Sequence, residues 1–320
     1  MASPPSWTAS VGDLIYPKMA VIGCGLIGGS VVRAARAAGV VGHIAVAESN
    51  RDFRARLADL AVADFLTSDA REAVQDADLV VLAAYPSALA GIAAEIGPGL
   101  KRGAALTDVG SVKAPVADAL VAAAPKGVHV IPGHPIAGTE QSGPDAGFAE
   151  LFQNRWTILC PRPSDDPAYA AAVERLTGFW EALGANVECM DEKHHDMVLA
   201  MTSHLPHLIA YTIVGSAAHL EQVSEGEVMK FSAGGFRDFT RIAASDPTMW
   251  RDIMLLNKDA VLEVLARFNE DVQGLARAIR YGEGDVLYDH FSRTRDIRRG
   301  IVAAGQESAE PNFGRDKARK

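Results

Sequence analysis

Ordered pattern begins near Lys18. Met19 to Ile22 is a short apolar run that ends in glycines, as a buried parallel strand does. Leu26 to Ala38 has a helical composition, with Gly39 as its stop. The alternation then repeats. His43–Ala47 predicts a strand, Arg51–Leu60 a helix, and Asp78–Ala84 a continuous apolar strand closed by Tyr85-Pro86. Ala104–Thr107 predicts a strand, Val112–Ala124 a helix, and Val128–Ile131 and Trp156–Cys160 two further strands. Tyr169–Leu183 is a helix, and Val187–Met190 the last strand. Strands that are apolar on both faces and alternate with helices predict an α/β domain, a parallel doubly wound sheet over residues 18–190.

After Met190 no strand pattern returns. Asp191 to about Leu220, Pro247–Tyr281 and Asp285–Ala304 are long helical stretches, so residues 191–305 are expected to form an all-helical C-terminal domain. The first 17 residues contain Pro and Ser without a sustained period and predict a flexible lead-in. Residues 306–320, with Pro311, Gly314 and mixed charges, predict a disordered tail.

Composition agrees with two globular domains. Of 320 residues, 48% are hydrophobic and 22% charged, which excludes disorder as the main state. The net charge of -9 argues against a nucleic-acid partner, which would need a clustered basic excess. Residues 291–320 do hold eight Lys/Arg against four Asp/Glu, a pattern that a solvated helix end and tail explain. Cys24, Cys160 and Cys189 lie in apolar surroundings and read as buried thiols of a reducing, cytoplasmic compartment. The segment MASPPSWTAS has neither a basic region nor an apolar core, so it is not a secretory signal. Met197–Leu220 has no Asp, Glu, Lys or Arg over 24 residues, long enough to span a bilayer. His204, His207, His219 and Pro206 would be costly in lipid. The stretch is therefore expected to be a helix buried in a soluble, oligomeric core, with no membrane partner.

Chemistry enters with Gly23-Cys24-Gly25-Leu26-Ile27-Gly28, a GxGxxG directly after a strand and opening a helix. In a Rossmann-type fold the first glycine makes the tight turn. The second admits a pyrophosphate, and the third packs helix on strand. The helix N-terminus, at Leu26 and Ile27, presents N–H groups to the phosphates. Glu48 ends the second strand twenty residues after Gly28, where a carboxylate binds ribose hydroxyls and repels a 2′-phosphate. The expected cofactor is NAD. Ser49, Asn50 and Arg51 follow at once and could soften that choice toward NADP.

Further segments look unlike packing. Thr107–Lys113, TDVGSVK, lies at a strand's C-terminal end, where Asp108 or Ser111 could also simply cap the next helix. In Gly133–Glu140, GHPIAGTE, a histidine between glycine and proline has a fixed backbone and an exposed ring, suited to a general base, or to an ordinary hydrogen-bonded loop. His204 and His207, three apart on one helix face, could bind a metal or lie in the core. No Cys, and no Asp or Glu within that helix, supplies a third ligand, so no metal is expected. Gly234–Arg241 and Ser245–Arg251 offer arginines that could clamp a carboxylate or bridge to Asp238 or Asp246. One arginine in each role is expected.

Taken together in order, GCGLIGGS, DVGSVK, GHPIAGTEQSG, SHLPH and GGFRDFTRIAASDPTMWRD resemble the prephenate/arogenate dehydrogenases, over about Lys18 to Ala304. The resemblance implies NAD(P)-dependent oxidative decarboxylation and a homodimer built through the helical domain. It implies His134 as catalytic base partnered by Ser111, and Arg241 as binder of a substrate carboxylate. Glu140, His207 and Trp250 would surround the substrate. Two rival readings are another Rossmann-plus-helical dehydrogenase of the 3-hydroxyacid type and a nucleotide-sensing protein without turnover.

Overall fold

The computed structural model of the chain describes residues 14–139, 141–221 and 234–303. The tail from Gln306, most of the expected lead-in, and Glu140 lie outside them. The chain divides into two compact units after Val261.

The first unit is built on six parallel strands: β1 (Tyr16–Ile22), β2 (Val41–Ala47), β3 (Phe65–Thr67), β4 (Leu79–Leu82), β5 (Ala105–Asp108) and β6 (His129–Val130). Their spatial order is β3-β2-β1-β4-β5-β6. Helices α1 (Leu26–Ala38), α2 (Arg51–Leu60), α3 (Ala70–Ala73), α4 (Pro86–Ile96) and α5 (Ala114–Ala123) make the crossovers. Ile22 lies opposite Ala47 and Leu82, and Leu82 opposite Asp108, so these strand ends share one edge. The order reverses between β1 and β4, and open α/β sheets bind ligands at such a reversal.

The two-residue period of a strand explains why the runs are apolar throughout. Met19, Val21, Ile44, Val46 and Leu79 share a core with Val31 and Val32 of α1. Phe179 and Trp180 of α6 (Pro167–Ala182) complete it. Ala20, Ile22, Ala45, Val80 and Leu82 pack on the other face, against Leu89 and Ala93 of α4 and Leu120 of α5. Gly39, at φ 69°, closes α1, and Asn50 caps α2 through the amides of Asp52 and Phe53.

Several expectations change. β1 starts at Tyr16, two residues before the expected start at Lys18. The Tyr16 ring packs edge-on against Phe179 at 5.8 Å and lies 4.3 Å under the Arg175 guanidinium, partners that only the folded chain supplies. The last two expected strands leave the main sheet. β7 (Gly133–Pro135), β8 (Trp156–Leu159) and β9 (Asn186–Cys189) form a second sheet in that order, with β7 antiparallel to β8. Cys189 is exposed, whereas Cys24 and Cys160 are buried as expected. Its strand pairs on one side only, with β8.

After β9 the described residues are helical, without strands. Asp191 caps α7 (Glu192–Leu199) through the amides of Lys193 and His194. One wide π turn, Ala200–His204, leads into α8 (Leu205–Glu221). Pro206 has no N–H to donate into the preceding turn, and the wider turn accommodates that loss. Residues Glu192–Leu220 are long and apolar enough to cross a membrane by length and composition alone. Within this single chain Leu199, His204, Leu205 and Ala210 are buried, while Met201, Ile213 and Leu220 are exposed. Next come α9 (Gly234–Thr240), a 3-10 turn (Arg241–Ala244) and α10 (Pro247–Leu256), capped by Asp246. Residue 190, the expected boundary, lies inside this first unit, where side chains of α7 bond to residues before it: Asp196 to the Lys113 and Ala114 amides and His195 to His134.

The second unit comprises most of α11 (Lys258–Tyr281) and all of α12 (Gly284–Ala303). Gly282, at φ 69°, makes the turn between them. Ile279, Tyr281, Tyr288, Phe291 and Ile297 are exposed.

Candidate active site

The glycine turn sits at the end of β1. Gly23 has φ +89°, and a Cβ there would lie 2.6 Å from the Ala83 carbonyl oxygen. A Cβ on Gly28 would lie 2.1 Å from the Gly23 carbonyl oxygen, so α1 packs directly on the turn. Gly25 is different: nothing lies within 4 Å of a Cβ placed there. No side chain caps the first turn of α1. The amides of Leu26 and Ile27, in the first turn, have no acceptor within the helix. Glu48 is buried at the end of β2. Its Oε2 accepts from the Cys24 amide at 3.0 Å and its Oε1 from the Asn50 amide at 2.9 Å. An open anion-binding turn with a carboxylate at its lip fits a dinucleotide with a free ribose hydroxyl.

The chain that follows β7 returns to this turn. The Phe148 amide donates to Ser30 Oγ at 3.1 Å, and Arg33 Nη2 donates to the Pro144 carbonyl at 2.9 Å. Arg56 of α2 holds Asp145 through Nε and Nη2, the latter at 2.7 Å.

A polar cluster lies at the ends of β5 and β6. His134 sits on β7 and is buried, only 8% exposed, where a loop histidine with an exposed ring was expected. Pairing of β7 with β8 and the ring of His195, 5.1 Å away centre to centre, enclose it. His134 Nδ1 is 2.9 Å from His195 Nε2, and His195 Nδ1 is 2.8 Å from Asp196 Oδ1. Asp196 Oδ1 and Oδ2 accept from the Lys113 and Ala114 amides at 2.7 and 2.9 Å. The carboxylate at the start of α5 is therefore Asp196 of α7, not Asp108 or Ser111 as local sequence suggested. Asp108 instead pairs with Lys113 Nζ in full burial and accepts from the Gly110 amide at 2.9 Å. Lys113 Nζ also donates to the Gly133 carbonyl at 2.6 Å, fixing the backbone just before His134. Burial first, then the neighbouring His195, Lys113 and His204, holds the His134 ring well below the ordinary histidine range.

Ser111 is half-buried beside this cluster, but the hydrogen bond to the His134 ring comes from His195. His204 is buried. Asn257 Nδ2 donates to His204 Nδ1 at 3.1 Å and to the Asp196 carbonyl at 2.8 Å. Burial pulls His204 down to about 4. The His207 ring stacks on Trp250 at 3.5 Å and 21°, and its Nδ1 donates to the Ser203 carbonyl at 2.9 Å. Both histidines thus face Trp250, since the His204 ring lies 6.1 Å from it edge-on. Trp250 packs against Val112, next to Ser111, and its Nε1 is buried without a partner. Burial lowers His207, and the Arg241 cation lowers it further, which places Arg241 within electrostatic reach of the ring. Arg237 pairs with Asp238 at 3.2 Å. Asp246 caps α10 and accepts from the Tyr85 hydroxyl at 3.1 Å.

Ser111, His134, His207, Trp250 and Arg241 thus belong to one connected region. Glu140 lies outside the described residues. Sequence reasoning missed His195, Asp196 and Asn257 and gave Lys113 no role. The adjacent pair His195-Asp196 just after a helix start was a visible signal; Asn257 carried none.

Comparison with known proteins bears on the same layout. Residues 31–189 match the nucleotide-binding domain of prephenate dehydrogenase, and residues 191–293 match its dimerization domain. The chain is 42% identical to a cyclohexadienyl dehydrogenase of Zymomonas mobilis, over 89% of this chain and 96% of that protein. It is 32% identical to a prephenate dehydrogenase of Bacillus subtilis, over 91% of this chain and 77% of that one. Among solved structures it resembles the Aquifex aeolicus prephenate dehydrogenase in complex with hydroxyphenyl propionate and NAD+. There the TM-score is 0.82 and the identity 32%, covering 89% of this chain and 98% of the other. With a doubly wound nucleotide-binding sheet, a helical C-terminal region and both halves matched, the chain belongs to the prephenate dehydrogenase family of oxidoreductases.

Proposed function

We propose that this protein oxidatively decarboxylates prephenate, arogenate or both, with NAD as cofactor, to give 4-hydroxyphenylpyruvate or tyrosine. The observation that carries this reading is a buried histidine, His134, held through Nδ1 at the strand ends where such a fold binds its ligands. Gly23, Gly25, Leu26, Ile27 and Gly28 would hold the pyrophosphate of NAD, and Glu48 its ribose. Bound NAD supplies the hydride acceptor.

Both substrates carry a ring hydroxyl opposite a ring carboxylate. His134 accepts the hydroxyl proton as the carbon bearing it is oxidised. The bond to the ring carboxylate then breaks, carbon dioxide leaves, and its electron pair makes the ring aromatic. The phenolate so formed takes the proton back from His134. Aromatisation drives the step, so no metal is required. Arg241 binds a substrate carboxylate and holds the ring in line, a positioning effect. The chain's net charge of -9 makes such a local cation necessary for an anionic substrate. Ser111 partners His134 in catalysis, and His207, Trp250 and Glu140 complete the substrate site. Prephenate and arogenate differ in a side-chain keto or amino group, which an arginine on a shared carboxylate does not separate.

We place residues 18–190 as the cofactor domain and 191–305 as the substrate and dimer domain. The exposed apolar residues of α8, α11 and α12 support a homodimer. Buried free thiols support a cytoplasmic location.

The test is NADH formation with each substrate by the parent and by His134→Asn. Asparagine keeps some hydrogen bonding but cannot take the proton, so turnover should fall about 10²- to 10⁴-fold while the Michaelis constant changes less. Only the neutral ring is a base, so parental turnover should fall as pH drops through the His134 pKa. Burial lowers that pKa, so the acid limb should lie below the ordinary value of about 6.5 rather than at it. His134→Asn should lose the limb. Parental turnover with an unchanged pH profile would exclude His134, and His207 would be the next base to test.

A further inference from the structure

We propose that His195 and Asp196 are positioning residues that fix the ring tautomer of His134, leaving its Nε2 as the proton-accepting atom. This rests on His134 being the base, and deepens it by saying which nitrogen acts and why.

The direction of the chain of bonds follows from its far end. Both Asp196 oxygens receive backbone N–H groups from the start of α5, so the carboxylate meets His195 Nδ1 as an acceptor. That nitrogen must then carry the proton. A neutral His195, favoured by burial, is left with a lone pair on Nε2. At 2.9 Å this lone pair can bond to His134 Nδ1 only if Nδ1 carries a proton. Neutral His134 therefore has its lone pair on Nε2. The opposite arrangement would put a proton on that atom and abolish the base. When Nε2 takes the substrate proton, the new cation is bonded through His195 to Asp196.

The frame around the pair is rigid. Asn257 Nδ2 holds the Asp196 backbone carbonyl, and Lys113 holds the Gly133 carbonyl. The charged and titratable groups facing the two rings are Asp108 and Lys113 from the β5–α5 segment, Asp196 of α7 and His204 of the π turn. Cys160, after β8, faces Lys113, Asp196 and Asp108.

Asp196→Asn is the main test. Its amide group can donate to His195 Nδ1, which reverses both bonds and places a proton on His134 Nε2. Turnover should fall about 10²- to 10⁴-fold with Michaelis constants for substrate and NAD within about threefold of the parent. In the ligand-free protein, NMR of ¹⁵N-labelled histidine should show His134 changing from the Nδ1–H to the Nε2–H form. Because Asp196 also binds the start of α5, two variants at His195 guard against a folding defect. His195→Leu cannot accept from His134 and should lose turnover and the fixed tautomer. His195→Gln offers a carbonyl acceptor and should restore both to within about tenfold of the parent. A folded Asp196→Asn protein with parental turnover and an unchanged His134 tautomer would overturn the proposal. So would Leu and Gln variants that are equally active or equally inactive. Failure of the base reading itself is a separate result, seen only in an active His134→Asn.

Discussion

The glycine turn and the histidine cluster lie on the same edge of the sheet, yet the chain builds them in opposite ways. In the turn, Gly23, Gly25 and Gly28 lie within six residues, and the Glu48 carboxylate reaches back to the amide of Cys24, between two of them. In the cluster, His134 bonds to a ring 61 residues away, and Asp196 to amides 83 and 82 residues away. The turn is backbone geometry with space on one side. The cluster is a set of buried polar groups, each costly if its partner is lost. Damage to the cluster should therefore appear first as instability, and damage to the turn as weakened cofactor binding.

The largest effect in this comparison belongs to Lys113. Its side chain and that of Asp108 are both fully buried. Lys113→Met keeps the length of the stem but leaves a buried carboxylate uncompensated, which costs about 3–5 kcal/mol. Unfolding in denaturant should show that loss, and NAD titration of the folded fraction should be near parental. A loss below about 1 kcal/mol would mean that water or another group compensates Asp108.

Much of the fold was legible because its signals are local. Apolar runs with glycine stops give strands and crossovers, and α1 and α2 fall where composition placed them. The glycine turn was legible for the same reason. The second sheet was not, since a short strand does not record which edge it will pair with. Nor was α4, whose PSALAGIAAEI has small residues where a strong helical stripe would carry large ones. His134 and His204 of the cluster were named from their segments, and the resemblance paired His134 with Ser111 beside it. The bonds through His195 and Asp196 were not legible, because pairing of His134 with His195 is a fact of the folded chain. His134 read as exposed for that reason. No local pattern tells a histidine's burial when its enclosing groups come from elsewhere.

Arg241 tests where the substrate end belongs. If it binds a carboxylate, Arg241→Gln loses a charge-assisted hydrogen bond and raises the substrate Michaelis constant about 10- to 150-fold. NAD affinity and thermal stability should scarcely move. Equal weakening of substrate and NAD binding would instead assign Arg241 to holding the site together.

Two glycines divide stability from binding within the turn. Gly28→Ala forces a Cβ to 2.1 Å from backbone oxygen, so strand and helix must separate, at about 1–3 kcal/mol. Gly25→Ala meets no protein atom within 4 Å. Its melting temperature should stay near parental while NAD binding weakens, because the new methyl occupies the space the pyrophosphate needs. If Gly25→Ala bound NAD as the parent does, the open side of the turn would not be the cofactor side.

The smallest effect is expected at Glu48. In place of the carboxylate, Glu48→Ser offers a hydroxyl too short to reach the Cys24 amide, and if Glu48 binds the ribose, that hydrogen bond is lost with it. A net hydrogen bond is worth about 0.5–1.5 kcal/mol, so the Michaelis constant for NAD should rise by up to roughly tenfold. NADP should move the other way. The negative charge that repels a 2′-phosphate is gone. Arg54, whose Nη1 donates to the Glu48 carbonyl at 2.7 Å, already holds a cation at that strand end. The diagnostic is the ratio of kcat/KM for the two cofactors, because loosening of the turn alone would weaken NAD and NADP together. An unchanged ratio would mean that Glu48 serves the turn through Cys24 and Asn50 and does not select the cofactor.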